Sequence, residues 1–333
     1  MKLNTACFLL LILFCHPFSG CKAQPSFGEN LLKQVKSIPM PGTKGRLDHM
    51  DVNMKSGIVY VAALGNNSLE IVDLSKGKVL YSIKGLDEPQ GVAYIPQQQE
   101  IIVANGGNGD CYFYNALTYQ KTGTIHLGSD ADDIRYDSVN QRIYVGYGSG
   151  GISIIDARNH QSIADIKLSG HPESFQLDQQ LNRLFVNIPD AHQIAVIDLV
   201  HYQVVSQWST GSLRANFPMA IDLVNHFVFI GYRHPAKLIV LDGKTGRQLN
   251  SSDMAGDVDD LYFDGKDAKV YASGGSGFIS IYQWHQPNLK QVANIATQSG
   301  ARTSLLIPQL NLFILAERAS GSSVAQLQVY RTK

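Results

Sequence analysis

The sequence has few cysteines and lacks helical periodicity, and both shortages narrow the choice of fold. Three of its four cysteines, Cys7, Cys15 and Cys21, lie within the first two dozen residues. The remaining cysteine, Cys111, has no partner for an internal disulfide, and we interpret it as a small structural residue rather than a nucleophile. No stretch beyond residue 24 repeats its apolar residues with the period of an amphipathic helix. An all-β fold is therefore predicted.

Clusters of basic residues and catalytic motifs are missing as well. The chain has 28 Lys and Arg against 28 Asp and Glu, and loss of Lys2 and Lys22 with an N-terminal leader would leave a net charge of about −2. Non-specific nucleic-acid binding requires clustered positive charge, so a nucleic-acid partner is not expected. The motifs C-x-x-C-H, H-E-x-x-H and G-x-S-x-G do not occur, so haem attachment, zinc-protease and serine-hydrolase chemistry have no sequence support.

Residues 1–23 have the pattern of a secretory signal peptide. Lys2 precedes the apolar run 6–14, and Pro17 ends it. The run is too short for the roughly 20 apolar residues of a membrane-spanning helix. Cleavage after Ala23 would leave a soluble exported protein. Alternatively, Phe18-Ser19-Gly20-Cys21 resembles a lipoprotein box, in which Cys21 would carry the lipid and provide the only membrane attachment.

The rest of the chain, residues 24–333, repeats one unit seven times. Its clearest marker is an apolar triplet, found at Val59-Tyr60-Val61, Ile101-Ile102-Val103, Ile143-Tyr144-Val145, Leu184-Phe185-Val186, Val228-Phe229-Ile230, Val270-Tyr271-Ala272 and Leu312-Phe313-Ile314. The triplet centres are 42, 42, 41, 44, 42 and 42 residues apart. A period near 42 with four strand-like runs in each unit predicts a single seven-bladed β-propeller domain of antiparallel strands.

The third unit shows the four predicted strands most clearly, at 134–136, 142–146, 153–156 and 162–168. The last unit stops after its third strand, at Val329-Tyr330-Arg331, so its fourth strand is missing. The segment 32–38 resembles the fourth-strand run 78–83 of the first unit. We therefore expect the N-terminal segment to pair with the last blade and close the ring, which removes two exposed sheet edges.

Polar residues recur where each fourth strand leads into the next blade, at the expected mouth of the central channel. The position eleven residues before each triplet centre holds His49, Gly91, Asp133, Ser174, Pro218, Asp260 and Arg302. The preceding position holds Asp48, Gln90, Asp132, Glu173, Phe217, Asp259 and Ala301. The position that follows is mostly apolar and predicts packing between blades, so the channel walls are expected to be apolar below a polar rim.

Recurring words at these turns resemble the YncE-like bacterial β-propellers, which are related to the YVTN-repeat propellers. The segments that carry the resemblance are Gly45-Arg46-Leu47-Asp48-His49-Met50, Glu88-Pro89-Gln90-Gly91-Val92, Asp132-Asp133-Ile134-Arg135-Tyr136-Asp137, His171-Pro172-Glu173-Ser174-Phe175-Gln176, Asn216-Phe217-Pro218-Met219 and Gly300-Ala301-Arg302-Thr303. The resemblance covers essentially the whole chain after the leader. It implies a WD40-like propeller fold and export to the periplasm or envelope, but no particular reaction.

Two functions from different classes remain open. The first is a binding scaffold without catalytic activity, which recognises a small polar ligand or an envelope protein at the channel mouth. The second is a metal-assisted lactonase, hydrolase or lyase at the same rim. The candidate ligand-binding residues are Asp48, His49, Gln90, Asp132, Asp133, Arg135, His171, Glu173, Asn216, Arg233, Asp259, Asp260 and Arg302.

No cofactor is predicted, although a divalent cation is compatible with these residues. The ligands for such a cation would be His49, Asp133, His171 and Asp260. These residues come from different units and have no local metal-ligand spacing. The binding scaffold is therefore the favoured prediction.

Overall fold

A computed structural model describes residues 26–333, so the signal peptide and the lipoprotein alternative at Cys21 lie outside the described residues. Within residues 26–333 the chain forms seven sheets, each of four antiparallel strands. This arrangement confirms the predicted seven-bladed β-propeller. Only two short 3₁₀ helices occur in this range, at Leu64–Asn66 and Pro308–Leu310.

The first three blades follow one another along the chain. Blade 1 contains β2 (Met50–Asn53), β3 (Ile58–Ala63), β4 (Ser68–Asp73) and β5 (Lys78–Lys84). Blade 2 contains β6 (Pro89–Ile95), β7 (Glu100–Asn105), β8 (Asp110–Asn115) and β9 (Lys121–His126). Blade 3 contains β10 (Ala131–Asp137), β11 (Arg142–Tyr147), β12 (Gly151–Asp156) and β13 (Ser162–Lys167).

The next three blades repeat this order. Blade 4 contains β14 (Phe175–Asp178), β15 (Arg183–Ile188), β16 (Gln193–Asp198) and β17 (Gln203–Ser209). Blade 5 contains β18 (Arg214–Asp222), β19 (Phe227–His234), β20 (Ala236–Asp242) and β21 (Gln248–Asp253). Blade 6 contains β22 (Val258–Asp264), β23 (Lys269–Gly274), β24 (Phe278–His285) and β25 (Asn288–Ala296).

Blade 7 joins the two ends of the described chain. It contains β26 (Ser304–Ile307), β27 (Leu312–Glu317) and β28 (Ala325–Thr332), and its outer strand is β1 (Leu32–Met40). Strand β1 runs antiparallel to β28, with Ile38 opposite Leu327. Ile38 and Met40 are fully buried, so the closing strand contributes to the core as well as to the hydrogen-bond ladder. The predicted ring closure is confirmed.

The apolar triplets lie on the second strand of every blade, and this position explains their composition. A second strand packs against neighbouring blades on both faces, so it carries a continuous apolar run instead of alternating with polar residues. The triplet centres are at most 1 % exposed in all seven blades. The residue ten positions earlier, such as Met50 or Ile134, is also buried and belongs to a core cluster between blades.

Aspartates at strand ends close many of the turns on the face opposite the predicted mouth. In blade 3, Asp137 accepts backbone hydrogen bonds from Val139 and Asn140, at 2.9 and 3.1 Å. Asp222 does the same for Val224 and Asn225 in blade 5. These side chains are turn builders, so the aspartates of the two faces have different roles.

The described part of the chain, residues 26–333, contains no helix of the length and apolarity needed to cross a membrane.

Candidate functional site

Local irregularities at the start of the inner strands position the predicted rim residues. In blade 3, Ala131 pairs with Tyr147 and Ile134 with Val145, so Asp132 and Asp133 lie in a β-bulge between them. A bulge bends the strand and redirects the side chains that it contains. Blades 2, 5 and 6 have register shifts at the equivalent place. The carboxylates of Asp132 and Asp133 thereby reach the channel entrance.

Six of the predicted residues line one small pocket, which we call the mouth pocket. It has a volume of about 30 Å³ and is lined by Arg46, Asp48, His49, Asp132, Asp133, Glu173, Ser174, Phe217 and Asp259. His49, Asp133 and Ser174 also line a larger space of about 390 Å³ within the channel, which we call the axial cavity. Residues from separate blades therefore meet at one opening, as their equivalent repeat positions predict.

Three arginines neutralise part of the acidic mouth. Arg302 lies 2.8 Å from Asp259 and 2.9 Å from Asp257. Arg233 also pairs with both aspartates, and its guanidinium stacks 4.0 Å above the ring of Phe217. This network joins blades 5, 6 and 7 and fixes the rim on that side.

Arg46 extends the network to the first blade. Its guanidinium lies 2.9 Å from Asp48 and 3.7 Å from Asp259. Asp48 is 2 % exposed, whereas the Arg46 side chain is 41 % exposed, so only the carboxylate of this ion pair is removed from solvent. Burying a carboxylate without such a partner would be strongly unfavourable.

Both histidines of the mouth favour their protonated forms. Burial opposes protonation of His49, but the carboxylates of Asp133, Asp48 and Asp260 outweigh it and raise its pKa to about 9. For His171, burial is likewise outweighed by Asp132 and by a hydrogen bond from Nδ1 to the carbonyl oxygen of Gly148, 2.6 Å away, and its pKa is raised. Each histidine is therefore positively charged near neutral pH.

Burial raises the pKa values of three carboxyl groups at the mouth. Burial, and then repulsion from Asp132, raises the pKa of Glu173 to about 8. Burial also raises the pKa of Asp48 to about 7 and that of Asp260 to about 6, although neighbouring positive charges oppose these shifts. These pKa values arise mainly from burial, so they mark a desolvated site.

Asp133 is the least satisfied of these carboxylates. It is 2 % exposed, and its Oδ1 pairs with Arg135. Its Oδ2 is buried and accepts no hydrogen bond in the structure. The equivalent aspartate of blade 6, Asp260, differs because its Oδ2 accepts the backbone N–H of Ser304 at 2.6 Å. Asp133 and Asp260 thus share a repeat position but differ in the hydrogen bonding of their Oδ2 atoms.

The axial cavity contains polar side chains that the sequence analysis missed. Asp51, Gln176 and Tyr262 line it together with Arg135, so the expectation of apolar channel walls is wrong. These residues lie two positions beyond the rim residues, and side chains two apart on a strand point to the same side. That alternation was a usable signal for Asp51, Gln176 and Tyr262.

Other mouth residues share a repeat position that was not among the predicted ones. Arg46, Asp130 and Asp257 each lie fourteen residues before a triplet centre, and all three form ion pairs at the entrance. Asp130 also accepts a hydrogen bond from Gln90 at 3.1 Å, which places Gln90 at the rim as predicted. Counting back from the triplets was therefore a usable signal for all three residues.

Asn216 is the exception among the predicted residues. It is fully buried, and its side-chain amide donates to Asn187 Oδ1 at 3.2 Å and to the Gln193 carbonyl at 3.1 Å. These contacts connect blades 4 and 5 below the surface. Asn216 therefore lies in the contact between blades 4 and 5 and lines neither the mouth pocket nor the axial cavity.

The candidate metal ligands do not converge. Within residues 26–333, no group of three or more His, Cys, Asp or Glu side chains is arranged to hold a metal ion. His49 Nδ1 lies 3.7 Å from Asp260, and His171 Nε2 lies 3.7 Å from Asp132. These distances fit ion pairs between charged side chains rather than ligands around a common centre.

Comparisons with known proteins extend only to the fold. No protein-family model matches the chain, and no curated protein matches its sequence. A chain in a structure titled "Crystal Structure of Mitotic Checkpoint Complex" is similar over 99 % of both chains, with a TM-score of 0.77 and 17 % identity. "Crystal structure of RRP9 WD40 repeats" covers 90 % of this chain and 98 % of its own, with a TM-score of 0.76 and 9 % identity. The chain thus has the β-propeller fold of WD40-repeat proteins.

Proposed function

We propose that the protein is an exported binding scaffold that recognises a ligand or a protein partner at the mouth of its axial channel. Convergence is the observation that carries this proposal: charged residues from blades 1, 3, 4 and 6 meet at one opening above a cavity of about 390 Å³. That volume lies within the usual range for small-molecule sites. The resemblance to YncE-like propellers and the signal-peptide pattern support export.

Similar folds support a protein partner. One similar chain belongs to a structure titled as a complex, and a propeller offers a rigid face that suits this use. Fold likeness does not determine the ligand. The proposal therefore rests on the residues of the mouth pocket, and it can be tested by locating where a partner binds.

Site-specific photo-crosslinking tests that location. A photoreactive amino acid would replace Asp130, whose side chain is 52 % exposed at the mouth. The matched control replaces Val139 of the same blade, which is 74 % exposed on a turn of the opposite face. Adducts formed in the native envelope should arise from position 130 and not from position 139. Equal labelling, or labelling from position 139 alone, would place binding elsewhere.

Export is tested by the mass of the mature protein. We expect the chain isolated from the envelope to begin at Gln24, or at a lipid-modified Cys21. Intact-mass measurement separates the two forms because the lipid adds mass and makes the chain partition into detergent. A full-length chain that retains Met1 and fractionates with the cytosol would contradict export.

A further inference from the structure

We propose that the axial channel takes an organic cation, an alkylammonium or guanidinium group, which pairs with Asp133. This inference rests on the proposed function and names the chemical class of the ligand. It depends on the unsatisfied carboxylate, on the lining of the axial cavity and on the arrangement of charges around both.

Asp133 has a buried carboxylate oxygen, Oδ2, that lacks a hydrogen-bond donor. A buried carboxylate oxygen without a donor costs free energy, so such groups are almost always paired in a folded protein. Asp133 lines both the mouth pocket and the axial cavity, and it is 2 % exposed. Asp133 therefore lies in the wall of both spaces, and the partner that its Oδ2 lacks is a hydrogen-bond donor, preferably a charged one.

The lining of the axial cavity suits a cation with a short apolar stem. Asp51 and Asp260 supply further acceptors, while Val92, Met219 and Leu305 supply apolar contacts. Alkylammonium and guanidinium groups combine a charged head with a hydrocarbon stem that packs on such surfaces. The cavity thus offers complementary contacts to both ends of the ligand.

Charge at the mouth favours a cation over an anion. Even with Glu173 protonated at neutral pH, carboxylates outnumber positive groups there: Asp48, Asp51, Asp130, Asp132, Asp133, Asp257, Asp259 and Asp260 stand against Arg46, Arg135, Arg233, Arg302 and the protonated His49 and His171. The four arginines already form ion pairs with aspartates. An anion would therefore have to compete with these aspartates, whereas a cation would relieve their mutual repulsion.

The same arrangement favours an organic cation over a metal ion. A metal ion needs several ligand atoms at about 2–2.6 Å from one point. No three candidate side chains within residues 26–333 meet that requirement. A guanidinium or ammonium group instead bonds to separate acceptors about 2.7–3.2 Å away, which suits carboxylates spread around a channel.

The shared chemistry could come from a free amine or from a Lys or Arg side chain on a partner. The probes are butylguanidinium and butylammonium, with butyramide as the uncharged control, titrated calorimetrically into the chain 24–333 at pH 7 and low salt. Two capped tripeptides, Gly-Arg-Gly and Gly-Gln-Gly, form the second arm. We expect both butyl cations to bind and butyramide to show at least tenfold weaker binding.

Asp133→Asn is the decisive variant because it keeps Oδ1 for Arg135 and removes the charge. We expect it to weaken cation binding at least tenfold. Asp165→Asn is the matched control, since Asp165 lies on the outer strand of the same blade and pairs with Lys167; it should bind like the parent chain. Should Asp133→Asn fail to fold, as judged by circular dichroism and melting, Asp260→Asn serves as the second variant and is expected to weaken binding likewise.

Each outcome decides the proposal. The proposal would be overturned if butyramide bound as tightly as the cations, if the folded variants bound the cations like the parent chain, or if neither cation bound. Tighter binding of the Arg peptide than of butylguanidinium would identify a partner side chain as the source, and weaker binding would identify a small molecule. Crosslinking at position 130 without cation binding would leave the scaffold in place and reject only the ligand class.

Discussion

Asp133 and Asp260 occupy the same position in blades 3 and 6, yet their surroundings give them different roles. Asp260 holds the backbone N–H of Ser304 at 2.6 Å and lies 3.7 Å from His49, so it connects blade 6 to blades 7 and 1. Asp133 pairs with Arg135 through one oxygen and leaves the other unused. The repeat position predicted where both carboxylates lie, but their partners depend on neighbouring blades that no single repeat encodes.

Substitution of Asp260 by Ala should destabilise the fold. The buried N–H of Ser304 would lose its acceptor, which costs about 1–3 kcal/mol. Asp260→Asn retains an acceptor oxygen and should cost less. Urea unfolding of both variants measures the difference in free energy of unfolding, and equal values within about 0.5 kcal/mol would show that the hydrogen bond to Ser304 contributes little.

The pH dependence of stability follows from the shifted groups at the mouth. The raised pKa values of Asp260, Asp48 and Glu173, about 6, 7 and 8, mean that these carboxyls bind protons more tightly in the folded state. Their ionisation therefore weakens folding as pH rises from the unfolded values near 4. His49, with a pKa of about 9, contributes stability below about pH 6.5 and loses it as pH rises through 9.

Both effects have the same sign, so these groups should make the free energy of unfolding decrease between about pH 5 and pH 9. Urea unfolding across this range measures it. Glu173→Gln removes one ionisation and should reduce the slope, whereas Glu88→Gln, at an exposed position, should not. A stability that increases over this range in the parent chain would contradict the assigned charge states.

Among the strands, β1 shows most directly how the sequence predicted the fold. The segment 32–38 was recognisable because it resembles the fourth strand of blade 1, and the structure pairs it with β28 along Leu32–Met40. The inner strand of blade 3 was predicted to begin at Ile134 but begins at Ala131. The bulge that contains Asp132 and Asp133 explains this difference, because polar residues interrupt the apolar pattern that marks a strand.

Truncation of a buried side chain in β1 should destabilise the protein more than truncation of an exposed one. Ile38 is fully buried with Leu327 and Val329 in the cluster between blades 7 and 1, so Ile38→Ala should cost about 2–5 kcal/mol. Val35 lies at a bulge of the same strand and is 45 % exposed, so Val35→Ala should change stability by no more than about 0.5 kcal/mol. Urea unfolding measures both, and similar losses would show that β1 does not complete this core.

For the whole molecule, repetition made the fold predictable but did not predict all residues of the candidate site. Seven apolar triplets fixed the number of blades because each marks a strand buried between two neighbours. The candidate site depends on contacts between blades. Arg302 pairs with Asp257, which lies 45 residues away along the chain, and Arg46 pairs with Asp259, which lies 213 residues away. Fold similarity at 17 % identity supplies no such contacts, so the chemistry of the mouth emerges only from the assembled ring.

A crystal structure of the chain 24–333 with butylguanidinium would locate the cation relative to Asp133. We expect electron density for the guanidinium group inside the axial channel, with a nitrogen about 2.7–3.2 Å from Oδ2 of Asp133, and no such density in Asp133→Asn crystals grown in the same conditions. Density for the ligand outside the channel, or a channel that holds only water at saturating ligand, would contradict this expectation.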